Sequence, residues 1–178
     1  MSVPRLVAWR PEHTLGNVSN LFGDEWDIEQ TEPGFSWKRL RLGARLGAEK
    51  LGASLYELSP GQRSFPYHLH HANEELLLVL DGAVTVRREE GEEELRRGDT
   101  ALFARGPSGA HQIVNRSDRP ARFLMVSTMI EPEILEYPDN GKVGLMTGAA
   151  PGRSEEAGLK AYLRRDAEVG YLENEPTD

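Results

Sequence analysis

The stretch PYHLHHANEELLLVLDG, residues 66–82, places three histidines and two glutamates directly before a run of five aliphatic residues. In an extended strand, residues i and i+2 lie on the same face, so His68 and His70 project together while His71 points elsewhere. Two imidazoles side by side either chelate a metal ion or form a pair that is costly to protonate. The stretch therefore suggests the hypothesis of a metal site at the start of a hydrophobic strand.

Two further ligand candidates support this hypothesis. A carboxylate follows the histidines at once, as Glu74 or Glu75, and His111 belongs to a later strand that an antiparallel fold can bring alongside. Three imidazoles and one carboxylate suit a first-row divalent ion such as Fe, Mn, Ni, Cu or Zn. A lone His-x-His pair is more often two surface or hydrogen-bonded imidazoles, but the glutamate and His111 favour the metal here. His13 lies outside this region and is interpreted as a surface residue.

Short strands separated by turn signals surround the histidines. LGASLYELSPG, residues 51–61, predicts a strand closed by a Pro-Gly turn, and residues 36–46 alternate enough to form an edge strand. TALFA, HQIVN and ARFLMVST, which begin at residues 100, 111 and 121, predict further strands. Turn signals every eight to twelve residues or so are typical of an antiparallel sandwich or barrel, and we expect an all-β fold.

Two glycine turns predict β-hairpins. Asp81-Gly82 is a dipeptide that supplies the positive φ angles of a tight primed turn, so residues 76–80 and 83–89 are predicted to pair with each other. A second hairpin is predicted around Gly91, with arginines and glutamates on both arms facing solvent.

The composition argues against several classes of partner. The net charge of −8 disfavours nucleic acid and anionic membranes, and the absence of cysteine removes any disulfide framework, zinc ribbon or thiol nucleophile. No apolar run reaches the roughly 18–20 residues that span a bilayer, and the N-terminus lacks the apolar stretch of a signal peptide. We therefore expect a cytoplasmic protein whose partners are neither nucleic acid nor membrane.

Two stretches of the chain resemble the two signature motifs of the cupin superfamily. The first motif is G-(X)5-H-X-H-(X)3,4-E-(X)6-G, and its counterparts here are Gly61, His68, His70, Glu75 and Gly82. Six residues instead of five precede the first histidine. Glu75 is preferred to Glu74 because it leaves the six-residue gap before Gly82.

The second cupin motif is G-(X)5-P-X-G-(X)2-H-(X)3-N, and its counterparts are Gly98, Gly106, His111 and Asn115. Ala104 stands where the motif has proline, and the insertion PSGA, residues 107–110, puts four residues instead of two before His111. The insertion leaves the path of this loop undetermined, but it does not change the assignment of His111. The chain is similar to small single-domain bacterial cupins of unassigned function.

The resemblance implies a fold and a ligand set. The fold is a double-stranded β-helix, or jelly-roll barrel, over residues 36–130, with an N-terminal extension over 1–35 and a C-terminal extension and tail over 131–178. The implied cofactor is one divalent transition metal ion. Its ligands would be His68, His70, Glu75 and His111.

The implied site also limits the types of function that we expect. Three imidazoles and one carboxylate leave about two positions of a six-coordinate ion open for O₂, water or an oxygen-bearing substrate. We expect a metal-dependent enzyme of dioxygenase, decarboxylase or isomerase type that acts on a small organic substrate, with no general base predicted beyond the ligands. The alternative is a non-catalytic cupin that binds a sugar or a small acid. A metal-free epimerase-type cupin is the weaker hypothesis because the full ligand set is present.

The strand after the histidines is apolar on both faces. Glu75 and its alternate neighbours would face the interior, and Leu76, Leu78 and Leu80 form the other face. Leaving these leucines exposed would forfeit about 1.5–3 kcal/mol each. We expect another sheet, the N-terminal extension or a second subunit to cover them. We predict a homodimer with the N-terminal segment packed across or exchanged.

A few other residues are candidates for the cavity or the tail. Tyr137 and Lys142, in the turn EYPDNGK, can line the cavity mouth, and Arg105 can reach an anionic substrate, although a solvated loop charge is the preferred interpretation. Residues 146–158 form a linker by composition, and the segment from residue 159 can hold a short helix or a docked strand.

Overall fold

The computed structural model describes residues 18–151 and 157–176. Antiparallel strands dominate these residues, so the all-β prediction is confirmed. The strands are β1 (Ile28–Glu32), β2 (Phe35–Leu40), β3 (Leu51–Leu58), β4 (Leu69–His70), β5 (Glu75–Asp81), β6 (Ala83–Arg88), β7 (Gly91–Arg96), β8 (Thr100–Phe103), β9 (Gln112–Val114), β10 (Ala121–Thr128), β11 (Glu133–Tyr137), β12 (Lys142–Thr147) and β13 (Leu159–Arg164). One short helix, α1 (Leu42–Arg45), follows β2, and single 3-10 turns cover Pro107–Gly109 and Arg165–Ala167. No helix in the described ranges is long and apolar enough to cross a membrane.

The strands form two layers. The first layer is a six-stranded sheet in the order β1-β2-β3-β10-β5-β8. The second layer contains a four-stranded sheet, β13-β12-β11-β4, and a three-stranded sheet, β7-β6-β9. An antiparallel bridge between His68 and His111 joins these two smaller sheets.

One apolar core lies between the layers. Leu77 and Phe123 contribute to it from the first layer, and Val84, Val86 and Ile113 contribute from the second. Each of these five side chains is at most 1 % exposed. Burying a side chain of this size stabilises the fold by about 1.5–3 kcal/mol, so the core holds the two layers together.

The predicted hairpin at Asp81-Gly82 is wrong. β5 pairs with β10 and β8, whereas β6 pairs with β7 and β9, so the turn carries the chain from one layer to the other. A primed type I′ turn needs positive φ at both residues, but only Gly82 has one, at 73°. The hairpin predicted around Gly91 is confirmed by the pairing of β6 with β7.

The edge strand predicted over residues 36–46 is partly wrong. Its first half is β2, but the chain then turns into α1. β1 pairs with the outer side of β2, so β1 forms the edge of the sheet. The sequence before residue 36 has no clear apolar period, which is why it gave no strand signal.

The described residues cover the outer face of the first layer only in part. Leu80 packs in a cluster to which Leu21 and Trp26 of the N-terminal segment contribute. Farther along β5, Leu76 lies opposite Val126 on one side and Leu102 on the other. Leu76 is 38 % exposed and Leu102 is 57 % exposed. We refer to Leu76, Leu102 and Val126 as the outer patch.

Strands also follow residue 130. β11 pairs with β4, β12 pairs with β11, and β13 pairs with β12. The segment from residue 159 therefore begins as a docked strand, one of the two alternatives left open by the sequence. The division of the chain at residues 35 and 130 stays a prediction, and His13 lies outside the described residues.

Candidate metal centre

Backbone pairing brings the three histidines together. His68 and His111 lie opposite each other, and each N–H donates to the other's carbonyl oxygen, at 3.1 and 2.8 Å. Residues that pair directly in this way place their side chains on the same face, and the two ring centroids are 4.8 Å apart. His70 shares that face because it is two residues from His68, and the Nε2 atoms of these two rings are 3.1 Å apart.

Glu75 reaches the histidines from the facing layer. Its Oε2 lies 3.2 Å from Nε2 of His111 and 3.5 Å from Nε2 of His70. One potential ligand atom from each of His68, His70 and Glu75 lies within 4.8 Å of the others. Glu74 is exposed, as expected for the member of the pair that alternates away from the centre.

Backbone carbonyls orient two of the rings. Nδ1 of His68 lies 2.9 Å from the oxygen of Pro66, and Nδ1 of His111 lies 2.9 Å from the oxygen of Gly109. A carbonyl oxygen only accepts, so both Nδ1 atoms carry a hydrogen. In the neutral rings, the lone pairs are then on the Nε2 atoms that face the shared centre.

A buried carboxylate orients the third ring. Oε2 of Glu133 lies 3.1 Å from Nδ1 of His70, and the side-chain amide of Asn73 donates to the same oxygen. Oε1 accepts from three backbone N–H groups at 2.9–3.0 Å. The Glu133 side chain is 0 % exposed. A carboxylate behind an imidazole is the arrangement that commonly fixes a histidine for metal binding.

The charges in the centre follow from these contacts. Burial alone would lower the pKa of His70, but hydrogen bonds to Glu133 and Glu75 outweigh it and raise this pKa to about 9. Burial, together with neighbouring His111 and His70, lowers the pKa of His68 to about 3. Burial would raise the pKa of both carboxyls, yet the contacts with His111 and His70 hold the pKa of Glu75 well below its usual value. Hydrogen bonds from His70, Asn73 and Ala72 lower the pKa of Glu133. A divalent cation would take the place of the proton on His70.

The inserted PSGA segment supports His111. It forms a single 3-10 turn, and its Gly109 supplies the carbonyl that holds Nδ1 of His111. A Cβ at Gly109 would lie only 1.6 Å from the oxygen of Ala104, so the turn requires glycine there. Phe103 stacks on the other side of His111, with ring centroids 3.7 Å apart. The loop that the sequence left open therefore fixes the histidine in place.

The centre opens into a cavity of about 350 Å³. This space is called the cavity from here on. Its volume falls in the range of small-molecule sites. His68, His70 and Glu75 lie on its wall. The described lining also includes the hydroxyl side chains Ser54, Tyr56, Ser127, Tyr137 and Tyr162 and the cationic side chains Arg39, Arg41 and Lys142.

Comparison with known proteins identifies the family. A family model for the cupin domain matches residues 54–127. The crystal structure of a sugar phosphate isomerase from a cupin superfamily, from Silicibacter pomeroyi, is 31% identical over 83% of this chain and 92% of that chain, with a TM-score of 0.69. The chain belongs to the cupin superfamily. An Acidithiobacillus ferrooxidans protein, provisionally described as a sugar phosphate isomerase, is 25% identical over 78% of this chain and 82% of that chain, with a TM-score of 0.67. No protein with a curated function matches the chain.

This cupin brings the four predicted ligands into one cluster, in which His111 is joined through Glu75. Their role as metal ligands stays a prediction. Asn115 shapes a turn, because its side-chain amide donates to two backbone carbonyls. Tyr137 and Lys142 line the cavity, whereas Arg105 is exposed on its loop and is not part of the described lining.

Several residues of the site lie outside both cupin motifs. Glu133 comes from β11, Arg39 from β2 and Tyr162 from β13. Gly144 makes room for Tyr162, because a Cβ there would lie 3.2 Å from the tyrosine ring. The spacing of these residues gave no signal, since each reaches the cavity through the pairing of distant strands.

Proposed function

We propose that this cupin is a metal-dependent isomerase that acts on a sugar phosphate. Its metal ligands would be His68, His70, Glu75 and His111. The observation that carries the proposal is the convergence of three imidazole Nε2 atoms and one carboxylate oxygen beside a cavity of small-molecule size. The similarity to two structures described as sugar phosphate isomerases supports this reaction class over dioxygenase and decarboxylase chemistry.

The donor set fits a transition metal ion. Imidazole nitrogen and carboxylate oxygen together suit Fe, Mn, Ni, Cu or Zn, and the hydrogen bonds at each Nδ1 orient the rings for such an ion. When bound, the ion would polarise an oxygen of the substrate.

The cavity wall offers groups that bind a sugar. The hydroxyls of Ser54 and Ser127 can exchange hydrogen bonds with substrate hydroxyls. Burial, with Tyr162 nearby, raises the pKa of Tyr137, so this hydroxyl keeps its proton and can donate to a substrate oxygen. Aldose–ketose isomerisation shifts hydrogens between neighbouring carbon and oxygen atoms and is redox-neutral overall, so it needs no co-substrate.

Binding without turnover is the second candidate function. Glu75 is the only carboxylate on the described cavity wall, and the metal would engage it. A separate carboxylate to act as a base is therefore lacking in that lining. The same cavity can hold a sugar or a small acid without converting it.

Metal content and turnover test the proposal together. Protein purified without chelators should contain about one transition metal ion per chain, and His111→Ala should lose most of it while staying folded. The matched control is His71→Ala, because His71 is exposed and pairs with Glu136 instead. Full metal content in His111→Ala would show that the ligand set is misassigned.

Turnover separates the two candidate functions. The metal-loaded protein should interconvert a pentose or hexose phosphate with its isomer, which NMR can follow directly. Stoichiometric metal and ligand-induced thermal stabilisation, without any product, would favour the binding protein.

We further propose that the protein is a cytoplasmic homodimer. The outer patch supports the dimer, because the described residues leave its leucines exposed. The lack of cysteine supports the location.

A further inference from the structure

The described cavity wall carries mainly positive charge, which is opposite in sign to the net charge of the chain. The chain carries a net charge of −8. The described cavity lining nevertheless has three cationic side chains, Arg39, Arg41 and Lys142, and one carboxylate, Glu75. A cleft lined by one sign of charge concentrates ligands of the opposite sign. The cavity is therefore suited to an anion.

Arg39 and Lys142 enter the cavity from opposite layers. Arg39 lies opposite Tyr56 in the β2–β3 pairing, and its guanidinium is 5.7 Å from the centre of that ring. Its Nε donates to Oγ of Ser54 at 3.0 Å, which orients the guanidinium. Lys142 lies opposite Tyr137 in the β11–β12 pairing, with Nζ 5.2 Å from the ring centre.

The strand that carries Arg39 lies some distance from the strand that carries Glu75. Arg39 is on β2 and Glu75 is on β5, with β3 and β10 between them in the sheet. Neighbouring strands are about 4.8 Å apart, so these two strands are separated by about 14 Å. Ser54 and Ser127 line the cavity from the intervening strands. A ligand that touches both Arg39 and the candidate metal ligands is elongated, polar along its length and anionic where it meets Arg39.

We propose that Arg39 and Lys142 form a binding site for the phosphate group of the substrate. The guanidinium presents several N–H donors in a planar fork that matches phosphate oxygens, and the lysine adds a compact charge from the facing layer. Two cations match the charge of a phosphate monoester better than that of a single carboxylate. The identity of the sugar part rests on the proposed function, whereas the anion site does not.

Inorganic phosphate is the probe for this site. Calorimetry on the full chain should show that Arg39→Gln and Lys142→Gln each raise the dissociation constant of phosphate about tenfold or more, because each loses a charge-assisted contact. The matched controls are Arg105→Gln and Lys38→Gln. Arg105 is exposed off the cavity, and Lys38 precedes Arg39 on β2 but points to the other face, 3.8 Å from Glu57. Both controls should keep the wild-type constant.

A conservative variant guards against a merely structural effect. Arg39 packs over Tyr56, so its removal can also disturb packing. Arg39→Lys keeps the charge and most of the stem, and it should bind phosphate more tightly than Arg39→Gln at an equal melting temperature.

Two outcomes would overturn the proposed anion site. One is wild-type phosphate binding in both Arg39→Gln and Lys142→Gln. The other is tighter, Arg39-dependent binding of gluconate than of glucose 6-phosphate, which would assign the site to a carboxylate. Phosphate binding that depends on Arg39 in a protein without isomerase activity would keep the anion site and reject the proposed function.

Discussion

The carboxylate of Glu133 accepts hydrogen bonds from five donors, and only one of them, Nδ1 of His70, belongs to a ligand candidate. Three of the others come from residues 71–73, which connect His70 to β5. Glu133 therefore fixes both the His70 ring and the loop that sets its distance from Glu75. Glu133 is not part of the described cavity lining, so we infer that it positions His70 and does not itself bind a substrate.

Glu133→Gln should weaken metal binding about 10- to 100-fold. A glutamine places an NH₂ group against donors that a carboxylate satisfied, and each donor left unpaired costs about 1–3 kcal/mol. Chelator competition would measure metal affinity, and denaturant unfolding would measure stability. Glu136→Gln is the control, because Glu136 is on the same strand but pairs with His71. Equal metal affinity in the two variants would contradict the positioning role.

Site residues that are close together in the sequence can be predicted better than site residues that meet through the pairing of distant strands. His68 and His70 share a face through strand periodicity alone, and Glu75 follows within the same motif. Glu133 is 63 residues from His70, and it reaches the ring only because β11 pairs with β4. That pairing has no signature in the residues themselves.

At the scale of elements, the turn at Gly82 also shows that the sequence does not reveal which distant strands pair. Turn residues mark where β5 ends, but they do not show which layer the next strand joins. The observed crossover passes close to the start of β10, so a Cβ at Gly82 would lie 3.1 Å from the oxygen of Pro120. The glycine is therefore needed for its positive φ and for this close approach.

Gly82→Ala should destabilise the fold more than Gly141→Ala. Both glycines have positive φ, at 73° and 64°, and alanine there costs about 1–2 kcal/mol from backbone strain. Gly141 has open space around it, whereas a methyl group at Gly82 meets backbone atoms. Gly82→Ala should therefore lower the free energy of unfolding further than Gly141→Ala does. Urea unfolding would measure the difference. Equal losses would mean that the backbone near Pro120 yields to the added methyl group.

At the scale of the whole molecule, the candidate metal centre lies at the junction of three sheets. β4 and the start of β9 meet at the His68–His111 bridge, and β5 faces them from the first layer. Separation of these sheets would therefore move ligands apart, and metal binding should stabilise the whole barrel. The outer patch lies on the opposite face of β5 from Glu75, so a partner there would support the strand that carries this ligand.

The homodimer can be tested at the outer patch. A symmetric interface uses each residue twice, so Leu102→Lys should remove about 3–6 kcal/mol of association energy, enough to weaken the dimer at least about a hundredfold. Light scattering after size exclusion should give twice 19.9 kDa for the wild type and a lower mass for the variant. Leu163→Lys is the control, because Leu163 is 52 % exposed on β13, away from the patch. A wild-type mass of one chain, or an equal effect of both substitutions, would show that the patch is not the dimer interface.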